Sequence, residues 1–568
     1  MKEIIQNVKL YFKKYMRGHG KILLIIFLLL LISLSVSMIL PYIVSLFIDN
    51  LNSGYDLSYF HMLAVIYFSL VILKIVVEIV NSYISERLGW TISNTLRCNL
   101  VEHCINLDFS FHSNHRAGEL IERVDGDVSF LANFFSEFFV NIVGNTIFVL
   151  SIVFIFYSQS GIIGLGYSVI VILAYCAILL LQNRIMILWG KYREDEAQLY
   201  GYLQESILAR EDIIGVGEEA YLKNKLKKML LKIKNDFRRA SMVSNIPTSS
   251  FFGLLNIGDF LAIGIGVYLF YRSQLSLGSI YLISNYVGLL NRPFIALRYE
   301  FDNLQKMGAS LNRISQLFSL KSNINDGGKD INSDNITIEI RNVTFKYGKN
   351  QVPALNNFSL KIKNGEKVGI VGRTGSGKTT LIRLISKMYE VDEGEILLNG
   401  VNVKELNLKS LYENICFIAQ NVRIFNGTIY ENITCFETGI SKESVMRAVE
   451  NVGMLDWINS FPNGMDTILE KDMLSSGQAQ MLHICRAFLQ DANIYIFDEI
   501  NSKLDLEAEE KIFKALAMLS NNKTVLLIAH KLKILDFVDK ILIIENGKIK
   551  SFGSRKEIPN EIIERNIE

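Results

Sequence analysis

Between Gly372 and Thr379 the chain reads GRTGSGKT, which satisfies the pattern GxxxxGK[ST] and stands between the apolar, strand-like EKVGIV and the helical pattern LIRLISKMY. Glycines in such a run leave out the Cβ atoms that would block an anion, so several backbone N–H groups can converge on it, and the N-terminus of the following helix adds its dipole. This is a cradle for phosphates. Lys378 would reach the β and γ phosphates of a nucleoside triphosphate, and the Thr379 hydroxyl would bind Mg²⁺. Downstream, ANIYIFDEI is a buried-type strand that ends on Asp498 and Glu499. Asp498 would hold Mg²⁺, directly or through water, and Glu499 would polarise the water that attacks the γ-phosphate. The chemistry implied is ATP hydrolysis.

The elements around these residues fit an α/β ATPase-like domain over 336–568. Short β-rich runs (ITIEI, EKVGIVG, IYIFDE, TVLLIAH, KILIIENG) alternate there with helical patterns. The stretch KSNINDGGKDINSDN at 321–335 is polar and aperiodic, and reads as a linker.

Residues 1–320 are of another kind. The 568-residue chain is 50% hydrophobic with a mean hydropathy of +0.26, too apolar for an ordinary soluble enzyme, yet 20% of it is charged. The two characters therefore occupy different regions. From Ile22 to Ile48 there are 27 residues without a charge, more than the roughly 20 that cross a bilayer core. A spanning helix is expected there rather than a cleaved signal peptide, which would have an apolar region of about 7 to 15 residues and a small-residue cleavage site. Further apolar stretches at about 59–83, 137–157, 162–183, 249–271 and 277–297 predict six spanning helices, an all-α membrane domain.

Lysine and arginine are retained on the cytoplasmic side. The short connections after the first, third and fifth spans are nearly free of them. The long segments at about 84–136 and 184–248 are rich in them, as is the leader with Lys2, Lys9, Lys13, Lys14, Arg17 and Lys21. Those long segments and both termini are expected inside, and the helical spacing within the segments predicts membrane helices that continue into the cytoplasm. Only about 20 residues precede Ile22, so no peptidase domain is expected ahead of it.

Composition excludes other classes. Lysine plus arginine (59) against aspartate plus glutamate (57) leaves +2, which gives no basis for nucleic-acid binding. The six cysteines have neither metal-ligand spacing nor an expected position outside the membrane, so no disulfide framework or zinc site is indicated. His103, His112 and His115 are close in sequence but match no metal motif.

These motifs resemble the ATP-binding cassette (ABC) transporters, specifically half-transporters of the exporter fold, over nearly the whole chain. The resemblance implies a nucleotide cradle of Gly372, Arg373, Thr374, Gly375, Ser376, Gly377, Lys378, Thr379 and Thr380. VTFKYG is similar to the adenine-stacking loop, which makes Tyr347 the aromatic platform. IAQNVRIFNGTIYENI is similar to the Q-loop, so Gln420 would sense the γ-phosphate and Mg²⁺ and report to the membrane helices. LSSGQAQMLHICRAF resembles the signature helix, with Ser475, Gly477 and Gln478 facing nucleotide and Ser475 placed 23 residues before Asp498. Ser502 to Asp505 supply a D-loop, and His530, 31 residues after Glu499, the switch histidine. LDFSFHSNHRAGELIERVDGDV resembles the first cytoplasmic loop.

In the family each ATP lies between one phosphate loop and the opposite cassette's signature, so the resemblance implies a second half-transporter as partner, alongside membrane lipid and a transported substrate. It also implies the plasma membrane of a bacterium. The sequence departs from the family where Ser476 replaces glycine, where TILEKDM lacks the usual GE-x-G, and where Lys503 replaces a small residue. A Cβ at 476 would crowd the partner's nucleotide. Two arrangements stay open: a heterodimer in which Lys378, Glu499 and His530 meet a partner's intact signature, or a homodimer that tolerates serine.

The expected activity is export of an amphiphilic small molecule, peptide or lipid. A regulatory or ATP-gated membrane protein, or an importer on the same fold, stays open as well. Charges inside spans are costly and usually face a cavity or one another. Lys74 and Glu78 at i,i+4 in span two and Asp259 in span five, with Asn285 and Asn291 in span six, are candidates for a polar translocation wall; the alternative is a local Lys74–Glu78 pair.

Overall fold

The computed structural model describes residues 15, 18–51, 56–132, 139–331, 335–348, 352–420, 422–470, 473–500, 506–529 and 531–567. The chain divides into two compact units, one of Met1–Ile105 with Ala117–Ser319, the other of Asn106–Arg116 with Leu320–Glu568. Eleven residues from the first half thus belong with the second.

The main helices of the first half are α1 (Gly20–Asn50), α2 (Leu57–Ile105), α3 (Phe109–Asn114), α4 (Asn145–Gln159), α5 (Gly161–Leu208), α6 (Glu219–Tyr271), α7 (Leu277–Leu289) and α8 (Asn291–Ser319). All but α3 lie in the first unit. Among the described residues five helices are long and apolar enough to cross a membrane: α1, α2, Asn141–Gln159, α5 and α6. Large apolar side chains such as Val65, Phe154 and Phe260 stay exposed on them, a surface suited to lipid. α2, α5 and α6 have 49, 48 and 53 residues, so they extend for roughly 72–80 Å, well past a bilayer.

The sixth apolar stretch differs from expectation: it is not one helix over 277–297 but α7 and α8, divided at Leu290. Pro293 has no N–H for the carbonyl of Leu289, and its ring crowds that turn. Leu290 N bonds Val287 O at 3.1 Å instead, a tightened last turn. At the opposite end of α7, the Asp49 carboxylate accepts from Gly278 N and Ser276 Oγ, both at 2.7 Å, joining the end of α1 to the start of α7. Where α5 and α6 pack together, Lys191 pairs with buried Asp236 at 3.0 Å and Lys232 with buried Asp195 at 2.6 Å.

The second unit is built on strands β1 (Ile338–Phe345), β2 (Leu355–Ile362), β3 (Lys367–Val371), β4 (Glu393–Leu398), β5 (Val401–Asn402), β6 (Ile415–Ile418), β7 (Gly427–Thr428), β8 (Ile468–Leu469), β9 (Ile494–Asp498), β10 (Thr524–Ile528), β11 (Lys540–Glu545) and β12 (Lys548–Ser554). An antiparallel sheet runs β2-β1-β4-β5, and a six-stranded sheet runs β12-β11-β3-β10-β9-β6. In the latter only β12 is antiparallel, at one edge. Every residue of β9 and β10 is buried, as expected of parallel strands covered on both faces. Helices α9 (Lys378–Ile385) and α10 (Ser476–Leu489) follow β3 and precede β9 respectively.

Candidate functional site

The register of the parallel strands places the site. Ile528 of β10 lies opposite Ile370 of β3 on one side and Asp498 of β9 on the other. At about 4.8 Å per strand, Asp498 therefore ends level with the start of the 372–377 loop and about 10 Å across the sheet. Both lie at the carboxyl ends of the strands, where an open α/β sheet forms its ligand crevice.

The loop conformation depends on its glycines. Gly377 has φ +110°, and a Cβ there would stand 2.6 Å from Ala354 O; at Gly372 a Cβ would meet Ile544 O at 2.4 Å. Lys378, 5% exposed, opens α9 and turns its Nζ back to donate to the carbonyls of Gly372 and, at 3.1 Å, Arg373. Burial lowers its pKa, and the charges of Glu499 and Asp498 work against that shift, so both acids act on the ammonium. Ser376 is buried with an Oγ that has no hydrogen-bond partner. Arg373, Thr374 and Gly375 are exposed on the loop, and Thr379 is half-buried in the first turn of α9.

Asp498 is buried at the end of β9, and Glu499 follows it at φ +50°, in the left-handed region. Gln420, just past β6, donates from Nε2 to Glu499 Oε2. The structure thus brings Lys378, Asp498, Glu499 and Gln420 to one end of the sheet. Tyr347 is tied to the same region: its hydroxyl shares a 3.0 Å hydrogen bond with Thr380 Oγ1, and its ring packs edge-on against Phe345 and Tyr389. Motif reading gave Tyr347 a stacking role and did not anticipate the Thr380 bond.

Ser475, Ser476, Gly477 and Gln478 form a separate group at the start of α10. Ser475 Oγ accepts from Gln478 N, and Gln478 Oε1 accepts from Ser475 N at 2.9 Å, a reciprocal capping box. Ser475 and Ser476 face solvent, while Gly477 is buried. His530 and the loop Ser502 to Asp505, with Lys503, lie outside the described residues.

α3 belongs to this unit. Asp108 caps it, accepting from Phe111 N at 2.9 Å with one oxygen and from Asn323 N at 2.7 Å with the other. Phe109 packs edge-on to Tyr389 at 5.7 Å, beneath the Arg383 guanidinium. Sequence reading missed Asp108, although aspartate just before FSF is an N-cap signal.

In the membrane unit Lys74 and Glu78 form the local pair, 3.7 Å apart, and Glu78 also accepts from Ser33 Oγ of α1 at 3.0 Å. Asp259 accepts from Ser284 Oγ at 3.3 Å, Asn285 Nδ2 donates to Tyr281 OH, and Asn291 Oδ1 is buried without a partner. The five residues fall into separate groups.

Residues 23–294 match the family described as ABC transporter transmembrane region, and residues 355–502 the family described as ABC transporter. The chain is 29% identical to the ATP-dependent lipid A-core flippase of Escherichia coli K12 over 530 residues, 91% of this chain and 90% of that protein. It is 28% identical to the protein of that description from Haemophilus ducreyi over 527 residues. In fold it is similar to a bacterial Atm1-family ABC exporter solved with ATP bound, with a TM-score of 0.79 over 96% of each chain at 21% identity.

Proposed function

The chain belongs to the ABC transporters, as a half-transporter of the exporter type that hydrolyses ATP, and we propose that two such halves export an amphiphile across a bacterial plasma membrane. The observation that carries this reading is the convergence of buried Lys378 and Asp498 with half-buried Glu499 and exposed Gln420 at one end of the sheet, in a chain whose other half is apolar helices.

In this reading the 372–380 segment holds the triphosphate, with Lys378 Nζ exchanging its loop carbonyls for phosphate oxygens. Glu499, held by Gln420, accepts a proton from the attacking water. Thr379, Asp498 and Gln420 are oxygen donors, the set Mg²⁺ prefers, and the ion would neutralise developing phosphate charge. His530 is the switch residue and Tyr347 the base platform. α3, seated on Tyr389 and Asn323, would carry cassette movement toward α2. The reading takes 1–320 as the membrane domain, 321–335 as linker and 336–568 as cassette. It has six spans, the last made of α7 and α8, and both termini in the cytoplasm.

Each nucleotide would be completed by the opposite signature. Ser476, exposed at the open end of α10 where the family has glycine, favours a different half-transporter as partner. The relatives named as lipid flippases favour an amphiphilic cargo.

The test is ATP hydrolysis and vesicle uptake by the reconstituted full chain, alone and with a candidate second half. Glu499→Gln should abolish both while ATP binding persists. Hydrolysis by the chain alone that Glu499→Gln removes would decide for the homodimer, and hydrolysis unaffected by Glu499→Gln would refute the assignment.

A further inference from the structure

α1, α2 and the start of the third membrane helix line an open cavity of about 440 Å³. Glu78 and Glu86, three asparagines (Asn81, Asn141, Asn145) and three serines (Ser33, Ser82, Ser85) supply its polar wall. Glu78 and Glu86 stand eight residues apart on α2, about two turns. Glu78 is shared with Lys74 and Ser33, whereas Glu86 forms no ion pair among the described residues. Asn81 and Ser85 are 8% and 5% exposed, and Asn81 Oδ1 and Ser85 Oγ are buried without a hydrogen-bond partner. Asn145 gives one amide N–H to Asn141 O at 2.7 Å, which leaves its carbonyl oxygen and its second N–H. Asn141, on the same wall, donates from Nδ2 to Glu300 at 2.9 Å, a buried carboxylate that does not itself line the cavity.

The wall therefore offers two carboxylates and several hydrogen-bond acceptors, while its donors are neutral hydroxyls and amides that bring no positive charge. Buried polar atoms without partners are uncommon, and two of them beside one cavity mark a surface that a complementary group completes. An anionic head would meet Glu78 and Glu86 at close range. A primary ammonium brings three N–H donors and the opposite charge. Leu30 and Leu34, on the same cavity, give an alkyl chain an apolar path. A larger cavity of about 740 Å³ in the same unit carries no such bias, because its Asp127 is already matched by Arg313 and Ser310.

We propose that the cavity between α1, α2 and the third membrane helix is the head-group subsite of the transported amphiphile and selects a primary ammonium head over an anionic one. This deepens the export reading and rests on it. In the proposed orientation Asn141, Asn145 and Glu86 lie toward the cytoplasmic ends of their helices, at the depth where head groups of the inner leaflet reside.

The test measures binding of dodecylammonium and dodecyl sulfate at neutral pH, each below its micelle concentration, to the full chain in phosphatidylcholine nanodiscs without nucleotide. Binding to empty discs is subtracted. Dodecylammonium should bind at least about tenfold more tightly than dodecyl sulfate, the scale of one partly screened charge contact. The paired change Glu78→Gln with Glu86→Gln should erase that preference, and Glu86→Lys should turn it toward dodecyl sulfate. A misfolded protein cannot acquire a new preference, so Glu86→Lys separates lost charge from lost fold. Equal binding of the two probes, an undiminished preference in the paired variant, or no shift in Glu86→Lys overturns the proposal. Because binding is read without ATP, a selective subsite in a protein that never hydrolyses ATP would refute the export reading alone, and hydrolysis without ammonium selectivity would refute the subsite alone.

Discussion

Gln420 Nε2 donates a hydrogen bond to Glu499 Oε2, which joins the segment after β6 to the residue after β9 across two adjacent parallel strands. Glu499 holds this partner from a left-handed backbone at φ +50°, a conformation that costs a non-glycine residue about 1 kcal/mol or more. Backbone and hydrogen bond together fix the carboxylate's direction. Gln420→Ala should therefore slow ATP hydrolysis by about tenfold to a hundredfold, a part of the roughly 10²–10⁴-fold that a positioned base contributes, with ATP affinity changed less than about threefold. Steady-state hydrolysis and binding of a fluorescent ATP analogue check this, and an unchanged turnover would remove Gln420 from the mechanism.

Gly377 is constrained twice within the 372–377 loop, since alanine there faces both a φ of +110° and a Cβ 2.6 Å from Ala354 O. Gly377→Ala should cost about 1–3 kcal/mol in backbone strain and lower ATP affinity by at least about tenfold. Gly375→Ala is the milder comparison, because a Cβ at Gly375 meets nothing within 4 Å and only its φ of +80° is strained. Equal losses at the two positions would argue against steric crowding as the cause.

Asp108 holds two backbone N–H groups, one inside α3 and one at Asn323. Asp108→Ala should cost about 1–2 kcal/mol, the range of a lost cap. Limited proteolysis of the full chain should then cut faster within 106–116, while Asp108→Asn, which keeps an acceptor, restores part of the protection. Identical cleavage in all three proteins would show the cap to be unimportant.

His483, on α10, is pushed down to about 4, first by burial and then by the nearby Arg486. A histidine whose folded pKa is depressed stays neutral in the fold, so protonation favours the unfolded chain. Stability is complete above the ordinary value near 6.5 and falls by up to about 1.4 kcal/mol per pH unit between there and about 4. Thermal unfolding followed across that window should show the decline, and His483→Phe should flatten it. A slope that persists in His483→Phe would assign it to other groups.

The sequence by itself determined which residues match nucleotide-binding motifs and which stretches are long and apolar enough to cross a membrane. Phosphate binding needs a local pattern, glycines and a lysine at fixed spacing between a strand and a helix, so Gly372 to Thr379 was legible without coordinates. Spanning helices were legible because roughly 20 apolar residues in a row satisfy both lipid and backbone locally. Tertiary structure decided what depends on residues distant in sequence. Gln420 reaches Glu499 only because β6 lies beside β9, and Asp498 is level with the phosphate loop only through the register of β10. Asp108 joins the second unit through Asn323, 215 positions away. Ser33, Asn81, Ser85, Glu86 and Asn145 were unremarkable in sequence, because a polar side chain in an apolar helix has meaning only once the facing helix shows whether its partner is present. Even the sixth apolar stretch was divided at Leu290 by Pro293, whose missing N–H outweighed the hydropathy of the residues around it.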